Sequence, residues 1–261
     1  MKVITSRDNP FVKRLRLLAT STRERRKAGA TLLDGVHLVE AALAAGFPVH
    51  GLIVSEQGMA NAEIASILAQ HAELPATHLT DAVFATISPV DTPSGLLAMM
   101  SLPETLPPPD FRTSTVVLDG VQEPGNLGAI VRTAAAAGIG DVVLTMGCTQ
   151  AWSPRALRAG MGGHFGVRIH ERVDAVALLA DFDGPVLATG LGETAQSLYL
   201  MSLAQPVVWL FGAEGAGLST ELAARATATV RIPMSEAVES LNVGAAAAVC
   251  LFEQRRQMEA W

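Results

Sequence analysis

The sequence predicts an α/β protein built in two units, and three observations carry that prediction. Strand-like and helix-like segments alternate along nearly the whole chain. Three consecutive prolines, Pro107 to Pro109, interrupt the alternation within Leu102–Ser114. Such a run cannot continue a helix or a central strand and favours an extended spacer. Several strand candidates beyond the prolines are unbroken apolar runs, as expected of strands covered on both faces.

These features divide the chain into a first unit over 1–104, a Pro-rich linker over 105–111 and a second unit over 112–261. In the first unit, Asn9-Pro10 opens a basic helix that runs to about Lys27. Strands are expected over 31–34, 49–54, 76–79 and 96–100. Helices are expected over 37–45, 62–72 and 81–87. The pattern is that of a small α/β sandwich. In the second unit, strands are expected over 115–119, 141–145, 167–170, 185–189, 207–211 and 229–232. Helices are expected over 127–137, 154–161, 174–180, 220–226 and 241–257. Strand–helix alternation of this kind argues for a mostly parallel sheet with helices on both faces.

Composition narrows the functional classes. Of 261 residues, 49% are hydrophobic and 17% charged, which excludes a disordered chain. No stretch of about 18 uncharged apolar residues reads as a membrane span; Val243–Phe252 has about half that length. The first 18 residues scatter charges through apolar positions and lack the uninterrupted centre of a signal peptide. A cytoplasmic protein is therefore expected. The two cysteines, Cys148 and Cys250, read as reduced, partly buried thiols. Six histidines form no HxH or HExxH pattern, so no metal site is expected.

Charge is distributed unevenly. Residues 1–30 hold nine Lys or Arg, including Lys2 and Arg7, against two acidic residues. That segment carries +7, so the remainder carries −13 of the overall −6. No Lys or Arg occurs between Ala28 and Phe111. A basic segment joined to an acidic body can hold a phosphate backbone locally. Lys13, Arg14, Arg16, Arg23, Arg25, Arg26 and Lys27 are the candidate contacts to RNA or DNA, although a solvated helix face would have the same composition.

Three Gly-rich or polar segments lie where ligands bind in such sheets, beyond the carboxyl ends of strands. The first is Leu118–Arg132: a strand ends at Asp119, and Asn126 stands where a helix N-cap belongs. Arg132, six residues on, lies about 240° around the helix from Asn126, so one face does not hold both. The second is Leu210–Leu218, with Gly212, Gly215 and Gly217 flanking Glu214. Glycine permits close backbone approach to a ligand. The third is Arg231–Val243, where Pro233 stops a strand and Ser240-Leu241-Asn242 launches a small-residue helix. Taken singly, each is compatible with an ordinary turn.

Taken together and in this order, they resemble the three signature motifs of the SpoU/TrmH family of RNA ribose methyltransferases. The family's first motif, DP-x-N-x-G-x-x-x-R, is matched by Pro124, Asn126, Gly128 and Arg132, with Glu123 in the Asp position. Its second, G-x-E-G-x-G, is matched by Gly212 through Gly217. Its third, I-P-M followed by S-L-N-V, is matched by Ile232-Pro233-Met234 and Ser240 through Val243. Ser153–Phe165 resembles the family's linker between motifs, and Thr189–Gly192 its mid-sheet loop. The first unit is similar to the small ribosomal-protein-like RNA-binding domain that often precedes this core. That likeness rests on the basic helix and on Leu33 through Ala41.

The resemblance implies a SPOUT-class sheet with a deep trefoil knot at its C-terminal end. It implies a homodimer in which the partner completes each site. It also implies S-adenosylmethionine as cofactor and an RNA substrate, ribosomal rather than transfer RNA because a full globular unit precedes the core. Site roles follow by motif. Arg132 is the catalytic group, and Asn126, Glu214, Ser240 and Asn242 orient it, the ribose or the target nucleotide. Backbone groups at Gly190, Gly212, Ile232 and Leu241, beside Thr189, would cradle the cofactor, with Met234 and Leu210 in apolar contact with adenine. A guanidinium is a poor base at neutral pH. Arg132 would therefore either accept the hydroxyl proton when polarised by an RNA phosphate, or remain charged and stabilise a developing alkoxide. A tRNA substrate and a non-catalytic RNA-binding assembly factor are the alternatives. A dinucleotide oxidoreductase is disfavoured, since Gly120–Gly128 lacks the GxGxxG spacing.

Overall fold

A computed structural model describes residues 3–88, 93–192, 194–235 and 237–259; Lys2, counted in the basic segment, lies outside them. The chain opens with α1 (Pro10–Thr20), started by the Asn9 side chain accepting from the Phe11 amide at 2.9 Å. The single basic helix expected to reach Lys27 is two helices. Ser21 adopts extended backbone and its hydroxyl accepts from the Glu24 amide, starting α2 (Thr22–Ala28). A serine side chain competes with the backbone ladder and favours such a cap over helix interior.

There follow β1 (Ala30–Asp34), α3 (Val36–Ala44), β2 (Val49–Ser55), α4 (Glu56–Met59), α5 (Ala62–Gln70), β3 (Ala76–Leu79), α6 (Asp81–Phe84) and β4 (Leu96–Ser101). The short α4 has no counterpart in the sequence reading, and α6 is one turn shorter than expected. The four strands lie in the order β1-β4-β2-β3, with β4 antiparallel to both neighbours and β2 parallel to β3. Val12, Leu15 and Leu18 recur at helical spacing on α1. They are fully buried in the cluster that holds Leu32, Ile53, Leu79 and Phe84.

No helix or strand occupies Leu102–Ser114. Beyond it the chain runs through β5 (Thr115–Asp119), α7 (Pro124–Ala137), β6 (Asp141–Leu144), α8 (Pro154–Gly160), β7 (Arg168–His170) and α9 (Ala175–Leu178). It continues through β8 (Val186–Thr189), β9 (Gln196–Ser197), β10 (Val208–Gly212), α10 (Thr220–Ala223), β11 (Ala228–Arg231) and α11 (Val243–Met258). The seven strands form one parallel sheet in the order β7-β6-β5-β10-β8-β11-β9. The two-residue β9 escaped the sequence reading because it is too short to show a period.

The division between the units falls at Glu104/Thr105, with one exception. Trp152–Phe165, which contains α8, packs as part of the first unit, although the sequence reading assigns it to the second. The Thr31 hydroxyl donates to the Trp152 carbonyl at 2.7 Å, and Arg158 lies 3.5 Å from the buried Asp34 carboxylate. Phe47 packs its ring against Trp152 and Phe165. These contacts link residues more than a hundred positions apart, which local periodicity cannot register.

In the second unit, α11 lies against α7, where Gly244 faces Ala129; a Cβ there would make only ordinary van der Waals contact with the Ala129 Cβ, at 3.7 Å. The buried Gln254 fastens the same helix to the sheet. Its Oε1 accepts from the Trp209 indole at 2.8 Å, and its Nε2 donates to the Ser114 hydroxyl at 2.7 Å. Among the described residues, no helix is long and apolar enough to cross a membrane.

Candidate cofactor pocket and active site

A pocket of about 640 Å³ opens where β8, β10 and β11 end. Pockets of this size suit a ligand as large as a modified nucleoside. Thr189 and Gly190 enter it from the end of β8, Gly212 and Glu214 from the loop after β10. Ile232, Met234, Ser240, Leu241 and Asn242 enter it from the segment between β11 and α11. All but one of the expected cofactor residues therefore line one cavity. The exception is Leu210. Its side chain is fully buried among Val117, Val186 and Val208 because the sheet is covered on both faces. Only its carbonyl faces Thr189, accepting from the hydroxyl at 3.4 Å.

The loop after β10 has its shape because Gly212 carries no side chain. The backbone doubles back through paired hydrogen bonds between Ala213 and Gly217, at 3.1 and 2.8 Å. A Cβ on Gly212 would meet the Gly217 carbonyl carbon at 2.1 Å. Gly215 and Gly217 have φ of 84° and 71°, where a side chain is strained. Asp119, at the end of β5, tethers the far side of the loop. Its Oδ2 accepts from both the amide and the hydroxyl of Ser219, at 2.8 and 2.7 Å. Asp119 lies outside the three motifs, and in the sequence it shows only as a strand end.

The polar residues of the three motifs meet beside this loop. Glu214 Oε1 accepts from Asn126 Nδ2 and from Asn242 Nδ2, each at 2.7 Å. Asn242 Nδ2 also donates to Asn126 Oδ1 at 3.0 Å. Asn242 is the N-cap of α11, its Oδ1 accepting from the amides of Gly244 and Ala245. Asn126 is not the N-cap expected for α7. Glu123 takes that place, accepting from the Asn126 amide at 2.7 Å, and Pro124 fills the first helical position. The helix thus starts three residues before the expected Leu127, which leaves the Asn126 side chain available to Glu214.

Arg132 is not part of this cluster. It is exposed, about 9 Å further along α7 by helical rise, and does not line the pocket. Its guanidinium has no hydrogen bond or ion pair among the described residues. The other candidate RNA contacts separate by exposure. Arg14, Arg23, Arg26 and Lys27 are exposed, and Lys13 pairs with Asp8 at 3.0 Å. Arg16 is half-buried and donates to the Thr86 hydroxyl. Arg25 departs from the expectation: it is 3% exposed, and its guanidinium donates to the Leu18 carbonyl at 2.8 Å and the Thr22 hydroxyl at 3.0 Å. It closes the end of α1 and presents no charge for RNA.

Residues 113–252 match the SpoU rRNA Methylase family, and 9–98 match the MRM3-like substrate binding domain. The chain belongs to the SpoU methylase family. It is 36% identical to an uncharacterized tRNA/rRNA methyltransferase of Synechocystis, across 97% of this chain and 93% of the relative. It is 30% identical to the 23S rRNA (guanosine(2553)-2'-O)-methyltransferase RlmP of Bacillus subtilis, across 98% of this chain and 100% of the relative. The crystal structure of an AdoMet-bound rRNA methyltransferase from Sinorhizobium meliloti superposes with a TM-score of 0.83 at 30% identity, covering 99% of both chains. The parallel sheet is that of the SPOUT class, and the family uses S-adenosylmethionine.

The residues present fit that cofactor. The charged groups lining the pocket, among the described residues, are Glu214 and Glu239, with no Lys or Arg. A pocket of that charge opposes a polyphosphate and suits a ligand that bears a sulfonium and an ammonium. Val230, Met234 and Leu241 supply the apolar surface that a purine requires.

Proposed function

We propose that this SpoU methylase transfers a methyl group from S-adenosylmethionine to a ribose 2'-hydroxyl of 23S ribosomal RNA, acting as a homodimer. The observation that carries the reading is the convergence of Asn126, Glu214 and Asn242 at the rim of a pocket whose lining suits a cationic nucleoside. Bound S-adenosylmethionine supplies a methyl group on a positively charged sulfur. The protein's task is to bring a hydroxyl oxygen into line with it, and alignment of this kind lowers a barrier by up to roughly 7–11 kcal/mol in ideal cases. Asn126 and Asn242 hold Glu214, and Glu214 in turn fixes the loop over the pocket.

Arg132 is the catalytic residue in this reading, and its exposure favours the charged role. Water stabilises the cation, so the guanidinium orients an RNA phosphate and stabilises negative charge developing on the ribose oxygen. The hydroxyl proton leaves to solvent. Because Arg132 stands clear of its own pocket, a second copy of the chain would bring it to the reacting atoms. A trefoil knot would account for how the loops after β10 and β11 enclose the pocket while α11 returns to α7. The MRM3-like unit supports a ribosomal substrate, with Arg14, Arg23, Arg26 and Lys27 on its exposed basic face.

Arg132→Ala is expected to abolish methylation while leaving S-adenosylmethionine binding within about twofold, measured by calorimetry beside a labelled-methyl assay. Turnover retained in that variant would refute the role. Label recovered in a tRNA pool, and not in ribosomal RNA, would refute the substrate.

A further inference from the structure

The mechanism leaves one pocket group without a task. Glu239 lines the cavity, is exposed, and makes no hydrogen bond or ion pair among the described residues. The other carboxylate of the lining differs, since Glu214 accepts two amide donors at 2.7 Å and is fixed in place. No Lys or Arg lines the pocket to offset either charge. An uncommitted carboxylate in a cavity free of basic groups raises the affinity for cations and lowers it for anions.

Substrate and product of this reaction differ in charge at one atom. S-adenosylmethionine carries a sulfonium; S-adenosylhomocysteine, left after the methyl group departs, carries a neutral sulfide. Their adenosine, ammonium and carboxylate groups are the same. We propose that Glu239 is a specificity-determining residue that makes the pocket prefer the methyl donor over its spent form. The inference rests on this pocket being the seat of the donor. Interactions of unit charges across a few ångströms of part-solvated protein are worth a factor of about five to ten in an equilibrium. That factor belongs to the donor and not to the product, so the carboxylate favours loading of the donor in competition with its spent form.

The test is Glu239→Gln, which keeps shape and removes charge. Dissociation constants of S-adenosylmethionine and S-adenosylhomocysteine are measured by calorimetry on the full chain, without RNA. The expected result is a donor affinity weakened about fivefold, a product affinity changed less than twofold, and both effects shrinking as salt rises. Glu239→Lys, which reverses the charge, should move the preference further the same way. Equal weakening of both ligands would assign Glu239 to their common ammonium and overturn the proposal, as would no change in either. If the unaltered protein binds neither ligand, the pocket assignment itself fails, which is a separate outcome. Unchanged thermal unfolding of the ligand-free variants checks that the exposed residue was replaced without structural cost.

Discussion

Asn242 serves two structures at once, and substitution can separate them. Its Oδ1 caps α11 through the amides of Gly244 and Ala245, and its Nδ2 ties Glu214 and Asn126. Asn242→Ala removes both functions. Loss of the cap costs about 1 kcal/mol. The two exposed side-chain bonds add about 1 kcal/mol together, each near the low end for a net hydrogen bond. The sum of about 2 kcal/mol corresponds to a fall of about 4–8 °C in the melting temperature of a unit this size. Asn242→Ser retains a capping oxygen, because serine ranks with asparagine at that position. It lacks the amide donors, so its melting temperature should fall only about 2–4 °C. Methylation should drop at least about tenfold in both variants, because both lose one of the two amide donors that fix Glu214. Scanning calorimetry and a labelled-methyl assay read the two effects separately. The reasoning is refuted if Asn242→Ser turns over at the rate of the parent chain, or if it melts together with Asn242→Ala.

Three further outcomes are expected. Arg25→Ala should destabilise the first unit by about 2 kcal/mol, because it opens a buried site and strips donors from the Leu18 carbonyl and Thr22 hydroxyl. Arg26→Ala should leave melting within about 0.5 kcal/mol yet weaken RNA binding and lower its salt slope by about 1, read by titration at two ionic strengths. Asp141 is fully buried; burial pushes its carboxyl up, but hydrogen bonds from His170 at 2.8 Å and Arg168 at 2.6 Å outweigh that and hold it below its ordinary value. Its stabilising effect is therefore complete above the unfolded value near 3.8 and is lost as pH falls through the lower folded value. Asp141→Asn should flatten that acid limb in melting curves taken from pH 5 to pH 2; an unchanged limb would place the acid sensitivity elsewhere.

Much of the pocket was legible in the sequence because its residues are adjacent in short motifs. Gly212 through Gly217 form one loop, Ile232 through Met234 and Ser240 through Asn242 lie between β11 and α11, and a loop's composition reports its own geometry. Elements with strong periodicity, such as α1 with Val12, Leu15 and Leu18, were legible for the same local reason. What escaped depends on partners distant in sequence. Arg25 sits in a row of basic residues that looks uniformly solvated, and only the end of α1 makes it structural. Leu210 belongs to the right strand, but which face of a doubly covered sheet it meets is set by strands and helices from elsewhere in the chain. The packing of Trp152–Phe165 with the first unit was not legible, because its partners there are Thr31, Asp34 and Phe47. Glu239 went unnoticed beside Ser240 and Asn242, because its importance comes from the charge of a whole cavity rather than from any neighbour.

The bond from Gln254 to Ser114 joins residues 140 positions apart, and it has a bearing on synthesis. During translation, Ser114 leaves the ribosome 140 residues ahead of Gln254. Until Gln254 arrives, Ser114 and the Trp209 indole lack that partner, and Asn242 has no completed helix to cap. A nascent chain would therefore complete its first unit once Trp152–Phe165 has emerged, well before α11 closes the second, and long-range closure of this kind is slow.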